Sequence, residues 1–216
     1  FQTLVAPHKT IEELIKNDKL KAVTLTGSEK AGKSIAEQCG NLLKKTVLEL
    51  GGNNACIVLS DADLDKYLDE MVSARFQNTG QSCIAAKRFI VTEGIYDSFI
   101  DQFTKKVRAL KIGNPEENDT KISVLARPDL AETLKQQIDT SVKAGAHVLF
   151  GNDVLDAYFA PTVLTNVSPE MSVFKEETFG PVAAIIKVKD EDEAYALATN
   201  SRFGLGTMVF TENIEV

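Results

Sequence analysis

Histidine and cysteine are both scarce in this chain, and each shortage closes off a class of chemistry. The two histidines, His8 and His147, stand far apart, so neither a histidine-based zinc site nor a Ser-His-Asp triad can be assembled readily. Both read as surface residues, and no metal is expected. The three cysteines, Cys39, Cys56 and Cys83, make no Cys-x-x-Cys pair and no disulfide framework. A reducing, cytoplasmic setting is the corresponding expectation. Also missing is any run approaching the roughly 18 apolar residues of a membrane span. The opening Phe-Gln-Thr-Leu-Val has no initiator Met and does not resemble a signal peptide. A basic excess is lacking too. Lys and Arg number 24 against 31 Asp and Glu, for a net charge of -7, which argues against a nucleic-acid or membrane-surface partner. No internal repeat, low-complexity tract or linker interrupts the 216 residues.

What is present is an alternation of strand and helix patterns. Leu4-Val5-Ala6 is a short apolar run that could form a strand. Thr10 is placed to cap a helix carrying Ile11, Leu14 and Ile15, which ends at Asn17-Asp18. Ala22 to Thr26 reads as a buried strand, followed by a helix from about Lys30 to Lys44 with Ile35, Cys39, Leu42 and Leu43 on one face. Ala55 to Leu59 is a near-continuous apolar strand, with Cys56 as core. The next helix, capped within Ser60-Asp61-Ala62-Asp63, carries the stripe Leu64, Leu68, Met71, Val72 and Phe76. Further elements follow: a strand over Lys87–Val91, a helix with Ile95, Phe99, Phe103, Val107 and Leu110, and a polar turn over Glu116–Thr120. A helix over Pro128–Ala144 faces Leu130, Leu134, Ile138 and Val142 inward. Extended segments are expected at Ala146–Phe150, Ala160–Leu164, Val182–Val188 and Thr207–Phe210, with an acid-led helix from Asp190. This order implies an α/β layer structure with a mostly parallel sheet.

Three stretches carry chemistry. In Phe76-Gln77-Asn78-Thr79-Gly80-Gln81-Ser82-Cys83 a helix runs out near Asn78, a glycine breaks it, and the cysteine follows with nothing apolar in the five residues before it. A thiol among backbone amides just past a helix end is open to a substrate, and the thiolate is its reactive form. Cys83 is therefore the candidate nucleophile, against the alternative of a half-buried spectator. In Val47-Leu48-Glu49-Leu50-Gly51-Gly52 a carboxylate sits among aliphatic residues before two glycines. Partly buried, such a group suits a general base; at a strand end it can equally point to solvent. Gly27-Ser28 follows a strand and opens a helix, which aims free N–H groups at a phosphate, although many such turns bind nothing.

Together these motifs resemble the NAD(P)-dependent aldehyde dehydrogenase family. Leu48-Glu49-Leu50-Gly51-Gly52, with Cys83 following 34 positions after Glu49, looks like its paired active-site motifs. Glu176-Glu177-Thr178-Phe179-Gly180-Pro181 resembles its third motif, and Thr26-Gly27-Ser28 its phosphate-facing turn. The resemblance covers essentially the whole chain. The texture around Cys83, with Ala-Ala-Lys-Arg-Phe after it, is similar to bacterial succinate-semialdehyde dehydrogenases. It implies that Cys83 attacks an aldehyde, that the oxyanion is held by the Cys83 N–H and an asparagine, and that Glu49 activates water to release the acid. It places Gly27 and Ser28 at the pyrophosphate of NAD or NADP, Glu177 at the nicotinamide ribose and Phe179 beside the nicotinamide, with Leu50 also on the cofactor side. Residues 1–51 would be the tail of the dinucleotide-binding domain and residues 52–216 most of the catalytic domain, in a three-layer fold. The expected partner is a small aldehyde, and the expected assembly a homo-oligomer.

The resemblance also implies an internal fragment. The family's oxyanion asparagine and adenosine-binding residues lie upstream of the matched stretch, and its carboxyl end lies beyond it. The isolated 216 residues are expected to have little or no dehydrogenase turnover. Gln77 stands where some succinate-semialdehyde enzymes carry an arginine that can pair with the substrate's far carboxylate; Arg75 and Arg88 are the substitutes at hand. Two other readings compete: a non-catalytic structural domain of the same fold, and a cofactor-independent cysteine esterase.

Overall fold

The computed structural model describes residues 1–213 and 215. They form two compact units, Phe1–Gly51 and Gly52–Val216.

The first unit runs α1 (His8–Lys16), β1 (Ala22–Thr26), α2 (Glu29–Asn41) and β2 (Lys45–Glu49). The strands pair in parallel, from Ala22 opposite Lys45 to Thr26 opposite Glu49. Parallel neighbours need a crossover, which α2 supplies. Gly32 lets α2 lie close to the chain beyond β2: a Cβ there would stand 2.7 Å from a Leu50 methyl carbon. Cys39 is buried, as its helical spacing predicts, along with Ile15. Lys44 reaches back to the carbonyls of Ile15 and Asn17, fixing the end of α1.

Several expectations fail in this unit. Leu4-Val5-Ala6 forms no strand, since no neighbouring backbone pairs with it. The N-cap of α1 is Pro7, not Thr10, and no side chain caps it. Strand β1 is present but not buried, alternating exposed and half-buried residues as one face of a two-stranded ribbon does. Helix α2 ends at Asn41, and Leu43 turns left-handed (φ 52°) and stands exposed, so Leu42 and Leu43 do not extend its apolar face.

The second unit continues with β3 (Asn54–Val58), α3 (Leu64–Phe76), a single 3₁₀ turn (Gln77–Gly80), β4 (Ala86–Thr92), α4 (Glu93–Arg108), α5 (Pro128–Lys143) and β5 (His147–Phe150). The hairpin β6 (Val154–Leu155) and β7 (Tyr158–Phe159) leads to β8 (Thr162–Thr165), α6 (Ser172–Lys175), β9 (Val182–Val188), α7 (Glu191–Thr199) and β10 (Thr207–Phe210). Six strands make one sheet in the order β10-β3-β4-β9-β8-β5. Every pairing is parallel except β5 with β8.

Strands β3 and β4 are buried at every position, because helices cover both faces of the sheet. Alternate residues feed two separate cores. Ala55, Ile57, Ile90, Ala184 and Ile186 pack with Leu134 and Ile138 of α5 and Ala194 of α7. Cys56, Val58, Phe89, Val91 and Ile185 pack on the other face with Leu68 and Met71 of α3 and Phe99 and Phe103 of α4. Phe89, Phe99 and Phe103 pack mutually at centroid distances of 4.9 to 5.9 Å, with Phe99 and Phe103 stacked and the other two pairs tilted. The unit is thus a helix–sheet–helix sandwich, in line with the α/β, mostly parallel expectation.

The α3 stripe is buried as its spacing predicts, and Asp63 caps the helix through Lys66 N–H. On α5 the inward residues are Ala131, Leu134, Ile138 and Ser141, whereas Val142 is exposed. Among the described residues no helix is long and apolar enough to cross a membrane. His8 and His147 are both exposed.

Candidate active site

Helix α3 stops at Phe76 because the chain then enters left-handed backbone. Asn78 (φ 54°), Thr79 (φ 55°) and Gly80 (φ 71°) follow in succession. Such conformations cost on the order of 1–3 kcal/mol each for residues other than glycine, and need support from their surroundings. Asn78 donates from its own amide to the Gln81 carbonyl at 3.0 Å. The Thr79 hydroxyl accepts from Ser123 N–H at 3.0 Å, and Gln81 Oε1 from Ala126 N–H at 2.8 Å. At Gly80 a Cβ would lie 2.3 Å from the Gly180 carbonyl oxygen, so only glycine fits. The path ends in a turn that carries Cys83, half-buried and unpaired, while Cys39 and Cys56 lie fully buried in the cores. Burial pushes the Cys56 thiol strongly up, keeping it protonated and inert.

Two buried cations lie under this turn. Lys87 Nζ donates to the carbonyls of Ser82 (2.9 Å) and Cys83 (2.8 Å) and pairs with Glu177 Oε1 at 3.2 Å. That uses the three donors of an ammonium. Glu177 Oε1 also accepts from Gly52 N–H at 3.1 Å. Gly52 in turn lies so near the turn that a Cβ there would stand 2.5 Å from the Cys83 carbonyl oxygen. Arg75 donates to the carbonyls of Ala86, Gly80 and Gly180, with Thr178 at the limit of reach. Burial pushes Lys87 down to about 8, opposed by the Glu177 carboxylate and assisted by Arg75. Burial likewise pushes Arg75 down to about 9, again opposed by Glu177. Both remain cations at neutral pH.

The third motif meets this knot directly. Glu177 sits at its edge with a side chain 20% exposed, and its backbone carbonyl accepts from Gln137 at 3.1 Å. Its second oxygen, Oε2, takes no hydrogen bond among the described residues. Thr178 is fully buried, and its neighbour Phe179 is exposed.

The remaining candidates share one edge of the first unit. Gly27 N–H donates to the Glu49 carbonyl at 2.9 Å, so the Gly27-Ser28 turn and Glu49 lie together at the carboxyl ends of β1 and β2. Ser28 caps α2 by accepting from Ala31 N–H at 3.2 Å. Gly27, Ser28 and Glu49 are exposed and Leu50 is half-buried.

Two expectations need correction. Arg75 and Arg88 were the substitutes for a substrate-pairing arginine, yet both are buried and engaged with backbone. Arg88 lines a cavity of about 290 Å³ with Asn53, Asn54 and Leu205. Its Nε and both terminal nitrogens, however, donate to the carbonyls of Asn53, Leu197 and Ala198. A guanidinium so engaged has little left for a carboxylate. Lys87 is the residue of this cluster to which the sequence motifs gave no role. The available signal was a pair of consecutive cations, Lys87-Arg88, inside an otherwise apolar strand, since such residues are seldom fully buried unless paired.

Comparison with known proteins places this geometry. The aldehyde dehydrogenase family model matches residues 1–216. A succinate-semialdehyde dehydrogenase (NADP(+)) of Mycobacterium avium is 44% identical over 216 residues, covering 99% of this chain and 46% of the relative. A succinate semialdehyde dehydrogenase (NAD(P)+) of Escherichia coli is 46% identical over 211 residues, covering 96% of this chain and 46% of the relative. A crystal structure of succinate-semialdehyde dehydrogenase from Burkholderia pseudomallei matches with a TM-score of 0.93 at 33% identity, over 98% of this chain and 45% of that one. The chain spans about half the length of the curated relatives it matches. The family model's match from end to end means that this chain belongs to the aldehyde dehydrogenase family.

Proposed function

We propose that the protein oxidises an aldehyde to its carboxylic acid with NAD or NADP, with succinate semialdehyde as the candidate substrate. The observation that carries this reading is the half-buried Cys83 on a turn whose carbonyls and the Glu177 carboxylate are held by one buried ammonium. The relatives' names support the substrate class and the cofactor pair.

In this reading Cys83 Sγ attacks the aldehyde carbon, and the Cys83 N–H helps hold the oxyanion that forms. Oxyanion donors are worth about 3–4 kcal/mol each. A bound nicotinamide supplies the hydride acceptor. Loss of hydride from the thiohemiacetal leaves a thioester on Cys83, splitting one difficult oxidation into two easier steps. Glu49 is the general base proposed for the water that releases the acid.

The residues present fit the cofactor. A 13-residue helix opens at an exposed Gly-Ser turn on the carboxyl end of a parallel strand, an arrangement suited to phosphate. Gly27 and Ser28 would hold the pyrophosphate, and Leu50 would line the cofactor side. The open Oε2 of Glu177 would take a ribose hydroxyl, and the exposed Phe179 ring would pack at the nicotinamide end.

Cys83→Ala in the intact protein tests the reading. Aldehyde oxidation falls by at least about a thousandfold, while cofactor affinity changes less than about threefold, about 0.65 kcal/mol. Retained oxidation in the variant removes the covalent mechanism.

A further inference from the structure

We propose that Lys87 is a positioning residue for the reaction: through the Ser82 carbonyl it aims the Cys83 backbone N–H, and through Glu177 it ties the nucleophile turn to the third motif. This inference rests on the functional reading above.

The argument starts from the planarity of the peptide bond. Ser82 C=O and Cys83 N–H belong to one planar unit, and no peptide bond among the described residues is cis, so the two groups point in opposite directions. A buried ammonium 2.9 Å from the Ser82 oxygen therefore fixes the direction of the Cys83 N–H on the other side of the plane. The second contact, 2.8 Å to the Cys83 carbonyl, fixes the next plane, leaving the Cα of Cys83 held from both sides. Hydrogen bonds to a charged donor are about twice as strong as neutral ones. They also polarise the amide, so the N–H opposite becomes a better donor in a site with little water. The Lys87 side chain is fully buried, so solvent does not screen the effect.

The same ammonium pairs with Glu177 Oε1, which Gly52 N–H also holds. A carboxylate fixed at one oxygen presents the other in a set direction. Lys87 is thereby one atom centre shared by the turn that carries the thiol and the residue placed at the cofactor ribose. A lysine that merely satisfied buried carbonyls would need no such arrangement across the peptide that bears the oxyanion donor.

The test compares two reactions of the same thiol in the intact protein. Hydrolysis of p-nitrophenyl acetate passes through a tetrahedral oxyanion; alkylation of Cys83 by iodoacetamide does not. In Lys87→Met the acylation rate with the ester falls at least about tenfold, while alkylation changes less than about threefold. Equal falls in both rates, or no fall in either, overturn the proposal. Where Lys87→Met does not accumulate as folded protein, Lys87→Gln, which keeps neutral donors, carries the test, with a smaller fall in the same ratio expected. Failure of both variants to fold overturns the proposal in favour of a purely structural lysine. Cys83→Ala separates the two claims: ester and aldehyde turnover surviving in that variant defeats the functional reading itself. Turnover lost there but unchanged in Lys87→Met defeats only the role of Lys87.

Discussion

Gly80 is the residue on which the turn that carries Cys83 closes. Its backbone is left-handed, and a side chain would run into the Gly180 carbonyl and the Arg75 guanidinium. Gly80→Ala must therefore displace backbone rather than the end of a flexible side chain. The expected cost is about 2–4 kcal/mol, combining unfavourable φ with overpacking, read as a lowered unfolding midpoint in urea. A larger change is expected in the rate of Cys83 alkylation, because the turn carries the thiol. A fully stable variant with unchanged thiol reactivity would show that the strained path is dispensable. At this scale the sequence disclosed which thiol is accessible, since Cys83 alone of the cysteines lies outside an apolar pattern. It did not disclose Lys87. The partners of that ammonium include Glu177, 90 positions away, and a pairing at that distance leaves no trace in local spacing.

Helices and strands were legible where one local rule sufficed. The α3 stripe, the apolar runs of β3 and β9 and the acid-led start of α7 all appear where their patterns put them. The ends were less legible. The apolar pattern carried α2 on to about Lys44, but the left-handed Leu43 lies beyond its true end at Asn41. Pro7 rather than Thr10 begins α1. The cap of α2 offers a prediction at this scale. Ser28→Ala removes the hydroxyl that accepts Ala31 N–H, and the expected loss is about 1 kcal/mol of stability. If the turn also meets a cofactor pyrophosphate, affinity for NAD or NADP weakens in the same variant. Calorimetric titration beside thermal unfolding separates the two effects, and unchanged affinity would remove Ser28 from the cofactor site.

In the larger unit, one sheet separates two cores that share no cluster. Leu134 sits in one and Leu68 in the other. Each Leu→Ala change is expected to cost about 2–5 kcal/mol. Since the sites lie on opposite faces, the double variant should equal the sum of the singles within about 0.5 kcal/mol. Chemical unfolding of the three variants measures this, and a deviation well above 1 kcal/mol would mean that the sheet transmits strain between its faces. The alternation of element types implied a mostly parallel sheet, and the sheet is so. The antiparallel edge of β5 on β8 was not legible, because strand order and direction depend on which strands meet, not on the pattern within any of them.

The sequence alone determined the alternation of strand and helix, the buried stripes of α3 and α4, and the motifs that carry the family resemblance. All of these follow from side-chain chemistry at short spacing. The tertiary structure decided that Lys87 and Arg75 are buried, that Arg88 is engaged by backbone carbonyls, and that Ser82, Cys83 and Glu177 meet at one ammonium. A buried charge is tolerated only where several distant groups converge to satisfy it, and convergence is a property of the folded chain.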